Sequence, residues 1–385
     1  MILGLRALSL VGTAALAGCR LAHPTPQVLP DSKPQRTPYP DYPAPDDPLA
    51  AAPCSVKSGP DVVLRDVPDV DILLALHGNM KFLREANPVF LCGLERIDLL
   101  GDDAYRRSAA PEYTRRSVGL YTPHDRVIRI KASEGLTLTH EVGHHIHNLG
   151  TFAPTVRAFL AQSWAVDPDS GGRKPRCAGP DCFLNDAAAS KPTEDWARTF
   201  ERVLLRPIET GVATNFSLNG PTPMQEKIRL IRSIAKLAEP VKGIVRFGKA
   251  RVMEVAEALK LKEDNDSQAM PASLPSDKVR RIFVAGKSSV QRSVWENRRR
   301  PFLAGDFVVF PVFQGERKTL GFFVYDLSKD RFLPVELSLE DIPEEFQKAA
   351  ATFSDLRVIE ENGGLALIGF REESPTLVAP VDFRF

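Results

Sequence analysis

Apolar residues recur at helical spacing from Asp71 to Ala86, at Ile72, Leu73, Leu76, Met80 and Leu83, and Pro88 limits any continuation. Leu94–Leu100 mixes apolar and charged residues in a strand-like run. Ser117–Tyr121 and Arg126–Lys131 read as two strands joined by a Thr-Pro-His-Asp turn, and the second alternates cleanly. Helical spacing returns over 133–149, with Gly150 in the position that closes a helix, and again over 153–165. Trp196, Ala197, Phe200, Val203 and Leu204 mark a further helix capped by Thr193 and stopped near Pro207. Helical patterns over 223–237 and 250–261 follow. Beyond Lys278 the period shortens: runs at 281–285, 306–313, 320–327, 331–337, 356–360, 365–370 and 377–385 are separated by turn signals, with one helix over 339–350. The fold class is therefore α+β: a mainly helical domain with a small sheet over 54–262, a polar linker over 263–277 and a β-rich domain over 278–385.

The first 53 residues follow neither period. Residues 1–18 carry Arg6 and an apolar run ending in small residues, which is the pattern of a secretion signal too short to span a bilayer permanently. Leu16-Ala17-Gly18-Cys19 resembles the bacterial lipobox, which implies cleavage before Cys19 and a lipid anchor on it. Arg20 is not the aspartate that often marks inner-membrane retention, so outer-membrane anchoring is favoured. Ten prolines among residues 20–53 leave no core-forming stretch there. Residues 19–53 are expected to be an extended tether, reaching on the order of 100 Å at roughly 3.1 Å per residue. Four cysteines remain in an exported chain, an even number that suggests two disulfides; the local pairing Cys177–Cys182 is the most economical and leaves Cys54 with Cys92. The net charge of +1 gives no reason to expect attraction to nucleic acid.

The chemistry concentrates in Thr139-His140-Glu141-Val142-Gly143-His144-His145-Ile146-His147. H-E-x-x-H on a helix places His140 and His144 one above the other, able to grip one zinc ion, with Glu141 beside them as general base towards the activated water. His147 falls on nearly the same face two turns along and is a candidate substrate-side group, whereas His145 points away and His124 sits in the turn.

A catalytic zinc needs a third protein ligand. The metzincin extension requires glycine at 147 and histidine at 150, and the chain has His147 and Gly150, so that class is excluded. A carboxylate must serve instead, and the amphipathic segment from Pro192 to Leu205 carries Glu194 and Asp195 in its first turn. Glu194-x-x-Ala197-x-x-Phe200 resembles the gluzincin zinc metallopeptidases, including the anthrax lethal factor type, over about residues 94–206. The resemblance implies a zincin-like peptidase domain with Glu194 as the third ligand and Asp195 as the runner-up or a partner of a histidine. It also implies that the strand before the motif helix lines the cleft and receives substrate backbone, the alternative being a hairpin that only covers the core. Two features depart from the family: Arg198 stands where an acid commonly supports a histidine, and 185–189 lacks the tyrosine that donates to the transition state. Tyr121 and His147 are the candidates for that role.

These readings lead to a membrane-anchored, extracytoplasmic zinc endopeptidase acting on a peptide or protein substrate. The alternative is an inactive zincin scaffold that works as a surface binding or assembly lipoprotein through its β-rich domain.

Overall fold

A computed structural model describes residues 60–67, 70–108, 118–132, 137–207, 218, 220–266, 300–314, 319–361, 363–371 and 376–385. The secretion signal, the Cys19 anchor, the tether, Cys54 and the strand expected at 281–285 lie outside these residues.

The chain opens with β1 (Asp61–Arg65), α1 (Val70–Ala86), β2 (Arg96–Leu100), α2 (Asp102–Ser108), β3 (Gly119–Thr122) and β4 (Val127–Lys131). These strands form a sheet of order β1-β2-β4-β3, in which β1, β2 and β4 are parallel and β3 is an antiparallel edge. Next come α3 (Leu138–His147), α4 (Ala153–Ser163), the small hairpin β5 (Trp164–Val166) and β6 (Arg173–Pro175), α5 (Asp186–Ser190), α6 (Pro192–Leu205) and α7 (Pro223–Ile234). One apolar core joins α1, the sheet and these helices, with Leu83, Ile97, Ile130, Val142, Phe159 and Trp196 fully covered.

The motif helix ends at His147, two residues before its periodicity predicts. Asn148 turns back, its side-chain Nδ2 donating to the His144 carbonyl at 2.8 Å, and Gly150 begins a 3-10 turn over Gly150–Phe152 instead of closing the helix. α6 starts at Pro192, one residue before the expected cap, because a proline suits a first helical turn whose amide has no partner to lose.

The second half contains β7 (Val241–Phe247), β8 (Arg251–Met253), α8 (Val255–Asp266), β9 (Phe302–Ala304), β10 (Phe307–Gln314), β11 (Thr319–Asp326), β12 (Arg331–Leu333), β13 (Val335–Glu340), α9 (Glu344–Ala349), β14 (Asp355–Glu361), β15 (Gly364–Phe370) and β16 (Thr376–Arg384). One sheet runs β13-β7-β16-β15-β14 with β8 also on β16, and a second runs β12-β11-β10-β9. The expected boundary at 262 and 263 moves accordingly. β7 lies parallel to β13 and antiparallel to β16, so the chain joins the β-rich core at Val241. α8, expected to complete the first domain, buries Ala258 against that sheet and occupies the first residues of the expected linker. Among the described residues no helix is long and apolar enough to cross a membrane.

α3 and α6 pack at unusually short range. A Cβ on Gly143 would stand 2.9 Å from the Ala197 Cα and 3.2 Å from its Cβ, and the Trp196 indole N–H donates to the Gly143 carbonyl at 3.0 Å. Small residues on both helices are what permit this approach. Replacing Gly143 by Val should therefore lower unfolding stability by about 1–3 kcal/mol despite valine's lower backbone entropy cost, because the contact is backbone and cannot swing aside. Chemical denaturation of the two proteins measures it, and equal midpoints would contradict the packing argument.

Candidate metal centre

The approach of α3 to α6 sets His140 and His144 opposite Glu194. The two Nε2 atoms are 3.2 Å apart, Glu194 Oε2 is 3.7 Å from His140 Nε2, and Glu194 Oε1 is 3.5 Å from His144 Nε2. Donors bound at 2.0–2.1 Å around a tetrahedral ion stand about 3.3 Å from one another, so these separations suit a small divalent cation with little rearrangement. Among the described residues this is the group of His, Cys, Asp and Glu side chains able to hold a metal. The hydrogen bond from His144 and the nearby imidazoles hold the Glu194 carboxyl down at about 2, so it is ionised at neutral pH and ready to ligate.

Glu201, which the sequence reading passed over, completes the support of His140. It lies seven residues after Glu194 and so on the same face of α6, with Oε2 3.3 Å from His140 Nδ1. Donation from Nδ1–H to that carboxylate leaves Nε2 with its lone pair towards Glu194 and fixes the ring. Burial works against a charged His140, but the hydrogen bond to Glu201 and the carboxylates of Glu141, Glu201 and Glu194 together raise its pKa. The acid thus stands one helical turn beyond the position where the gluzincin pattern places it. Arg198 occupies the earlier position and donates from Nε to Glu194 Oε2 at 3.1 Å. Spacing of seven from Glu194 was the signal available in the sequence.

Glu141 is buried beside the triad, and that burial raises its pKa, opposed by His144, His140 and a hydrogen bond from the Tyr121 backbone N–H. The backbone of β3 explains the last contact. Lys131 N–H donates to the Val118 carbonyl at 2.9 Å, so in the antiparallel ladder Leu120 and Thr122 point to β4 while Gly119 and Tyr121 turn their backbone groups to the side away from it. That side faces Glu141. A Cβ at position 119 would stand 2.5 Å from Glu141 Oε1, which is why glycine is required there.

Three candidates from the sequence are placed elsewhere. Tyr121 is buried, and its hydroxyl is 3.1 Å from His145 Nδ1. Because His145 Nε2 sits 2.8 Å from the Cys92 carbonyl, an acceptor, Nε2 carries the proton and the tyrosine hydroxyl donates to Nδ1. Its hydroxyl is committed to His145, and His145 is a core residue whose pKa burial pushes down to about 4. His147 stays outside the metal group; it is buried, its Nε2 has no hydrogen-bond partner among the described residues, and burial lowers its pKa to about 4. Asp195 points away from the metal group and pairs with Lys227 and the Trp164 indole, with burial pushing Asp195 up and Lys227 down.

Cys177 and Cys182 form the expected disulfide. Cys92 is also disulfide-bonded, while its expected partner Cys54 lies outside the described residues. A groove of about 600 Å³ between α7 and β13 contains none of the metal-group residues.

In comparisons with family models, curated proteins and solved structures, none matches this chain.

If the triad binds a divalent cation, replacing Glu201 by Gln should weaken that binding about tenfold to a hundredfold, since the neutral amide is a poorer acceptor for the His140 N–H than the carboxylate. Competition against a chromophoric chelator reads this directly, and unchanged affinity would remove Glu201 from the site.

Proposed function

We propose that the chain is a zinc-dependent endopeptidase with a zincin-like domain, carried in the bacterial cell envelope as a lipoprotein anchored at Cys19, in the outer rather than the inner membrane. The observation that carries the reading is the convergence of three side chains, with the two imidazole Nε2 atoms 3.2 Å apart and one Glu194 oxygen 3.5–3.7 Å from each, and with a buried glutamate next in sequence to the first of them. The peptidase class, the lipid anchor and a peptide or protein substrate come from the H-E-x-x-H motif, the gluzincin-like spacing and the lipobox-like leader.

A zinc ion held by His140, His144 and Glu194 would supply Lewis acidity, lowering the pKa of a water and polarising the scissile carbonyl. In this reading Glu141 takes the proton of the attacking water and returns it to the leaving amine. Its raised pKa brings it closer to that task than an exposed glutamate, because a base works best with a pKa near the working pH. The outer side of β3 is the strand edge beside Glu141, and extended substrate pairing along it would exchange for the hydrogen bond that Glu141 now takes from the Tyr121 N–H.

The second reading, a zincin-scaffold lipoprotein that binds without cleaving, is favoured by one observation. The Tyr121 hydroxyl bonds to His145 and His147 lies outside the metal group, so neither candidate transition-state donor faces the triad.

Metal analysis of the purified mature protein, with Glu194→Ala alongside, should find one zinc per chain in the parent and loss in the variant. Glu141→Gln should keep the zinc and lower turnover of a fluorogenic peptide library by about 10²–10⁴-fold. Zinc without any turnover in the parent would select the binding reading, and undiminished cleavage by Glu141→Gln would sink the general-base role.

A further inference from the structure

The fully buried ammonium of Lys227 on α7 stands behind the metal group, on the far side of α6. Its Nζ donates to Asp195 Oδ2 at 2.5 Å and to the Cys182 carbonyl at 2.6 Å. The rings of Phe183 and Phe159 cover it, with centroids 4.5 and 5.0 Å away. Both acceptors are shared: Asp195 Oδ2 also takes the Trp164 indole N–H at 2.9 Å, and the Cys182 carbonyl takes the Ser163 hydroxyl at 3.2 Å. Four segments therefore converge on one cation, namely α6, α7, the junction of α4 with β5, and the loop closed by Cys177–Cys182.

A buried ion pair is poor value as a stabiliser, since desolvation of two charges consumes most of the attraction and well-packed apolar residues do as well or better. What the pair supplies that an apolar contact cannot is direction. Successive residues on a helix project about 100° apart, so holding Asp195 towards α7 sets the angle at which Glu194 leaves α6 towards α3. A side-chain tip lies roughly 6 Å from the helix axis, so a roll of 10–20° would carry it roughly 1–2 Å. Metal-ligand bonds tolerate only about 0.2 Å.

We propose that Lys227 is a positioning residue for the metal centre: through Asp195 it fixes the roll of α6, and with it Glu194, against the disulfide-closed loop that carries the Cys182 carbonyl. The proposal rests on the metal reading of the triad and extends it to residues that touch no metal.

The test uses the full mature chain and zinc as the probe. Asp195→Asn combined with Lys227→Met removes both charges, keeps an acceptor for Trp164 and fills the space of the lysine stem. A purely structural pair predicts that this double variant regains both the parent's melting temperature and its zinc affinity. Positioning predicts a melting temperature close to the parent's with a zinc Kd raised about tenfold to a hundredfold. Cys177→Ser combined with Cys182→Ser should raise the zinc Kd about three- to tenfold in the parent, and by less in the pair variant because both act through Lys227. A folded pair variant with the parent's zinc Kd overturns the proposal. If the pair variant does not fold, the serine variant decides: unchanged zinc affinity there overturns it equally. A parent that binds no zinc sinks the metal reading itself, whereas a zinc-binding parent with unaffected variants sinks only the role of Lys227.

Discussion

The near contact of two helix backbones at Gly143 and Ala197 is the constraint on which the candidate centre depends. Metal donors on separate helices must meet within about 3.3 Å, and ordinary side chains at the crossing would hold the helices too far apart for one glutamate to reach both histidines. Glycine on α3 and alanine on α6 remove that obstacle. The large residues of α6 then work beside the gap: Trp196 bonds back to the Gly143 carbonyl and packs edge-on against Phe159, and Phe200 does the same against Phe90. The pattern Glu-x-x-Ala-x-x-Phe is thus a packing rule as much as a ligand rule. Its first position faces the two histidines, its second permits contact, and its third anchors the helix.

A second close approach sets the base. Glu141 would be an ordinary solvated acid were it not pressed against β3, where Gly119 leaves room for its carboxylate and the Tyr121 amide bonds to it. Burial raises the proton affinity of the carboxylate, and the single amide and the two histidines oppose that rise without cancelling it. Edge strand and carboxylate are therefore one unit, and neither can move without the other.

The residues legible in the sequence are those whose roles follow from spacing along one element. His140, Glu141 and His144 need only a helix, and β3 and β4 need only alternation and a turn. Glu194 needs the further knowledge that two helices meet, which the family-like spacing supplies and local periodicity does not. Glu201 could be found once Glu194 was chosen, by stepping seven residues along the same face. Lys227 could not, since it reads as a polar residue among Met224, Ile228 and Ile231, and only the position of Asp195 across the core explains its burial. The partner of Tyr121 was hidden for the same reason, because nothing near it in sequence announces that its hydroxyl meets His145. β7 is different again. Val241-Lys242-Gly243-Ile244-Val245-Arg246-Phe247 alternates buried and exposed positions, a signal that was available, but its partner Val335–Glu340 lies about ninety residues on and decides which core the strand joins.

That long-range pairing changes how the two halves relate. α7 is tied to the helical half at both ends: Lys227 reaches Asp195 near its start, Arg232 donates to the Pro207 carbonyl at 2.9 Å, and the Ile234 carbonyl accepts from Asn87 Nδ2 at 2.7 Å. Only a short connection then separates α7 from β7, which is held between β13 and β16. A strand paired on both sides cannot shift along its axis without breaking two ladders, so the β-rich core fixes where α7 ends. The helix that supports the back of the metal group is therefore clamped between the two cores. Separating the halves at the polar segment after α8 would leave β7 and α8 stripped of the sheet that buries them.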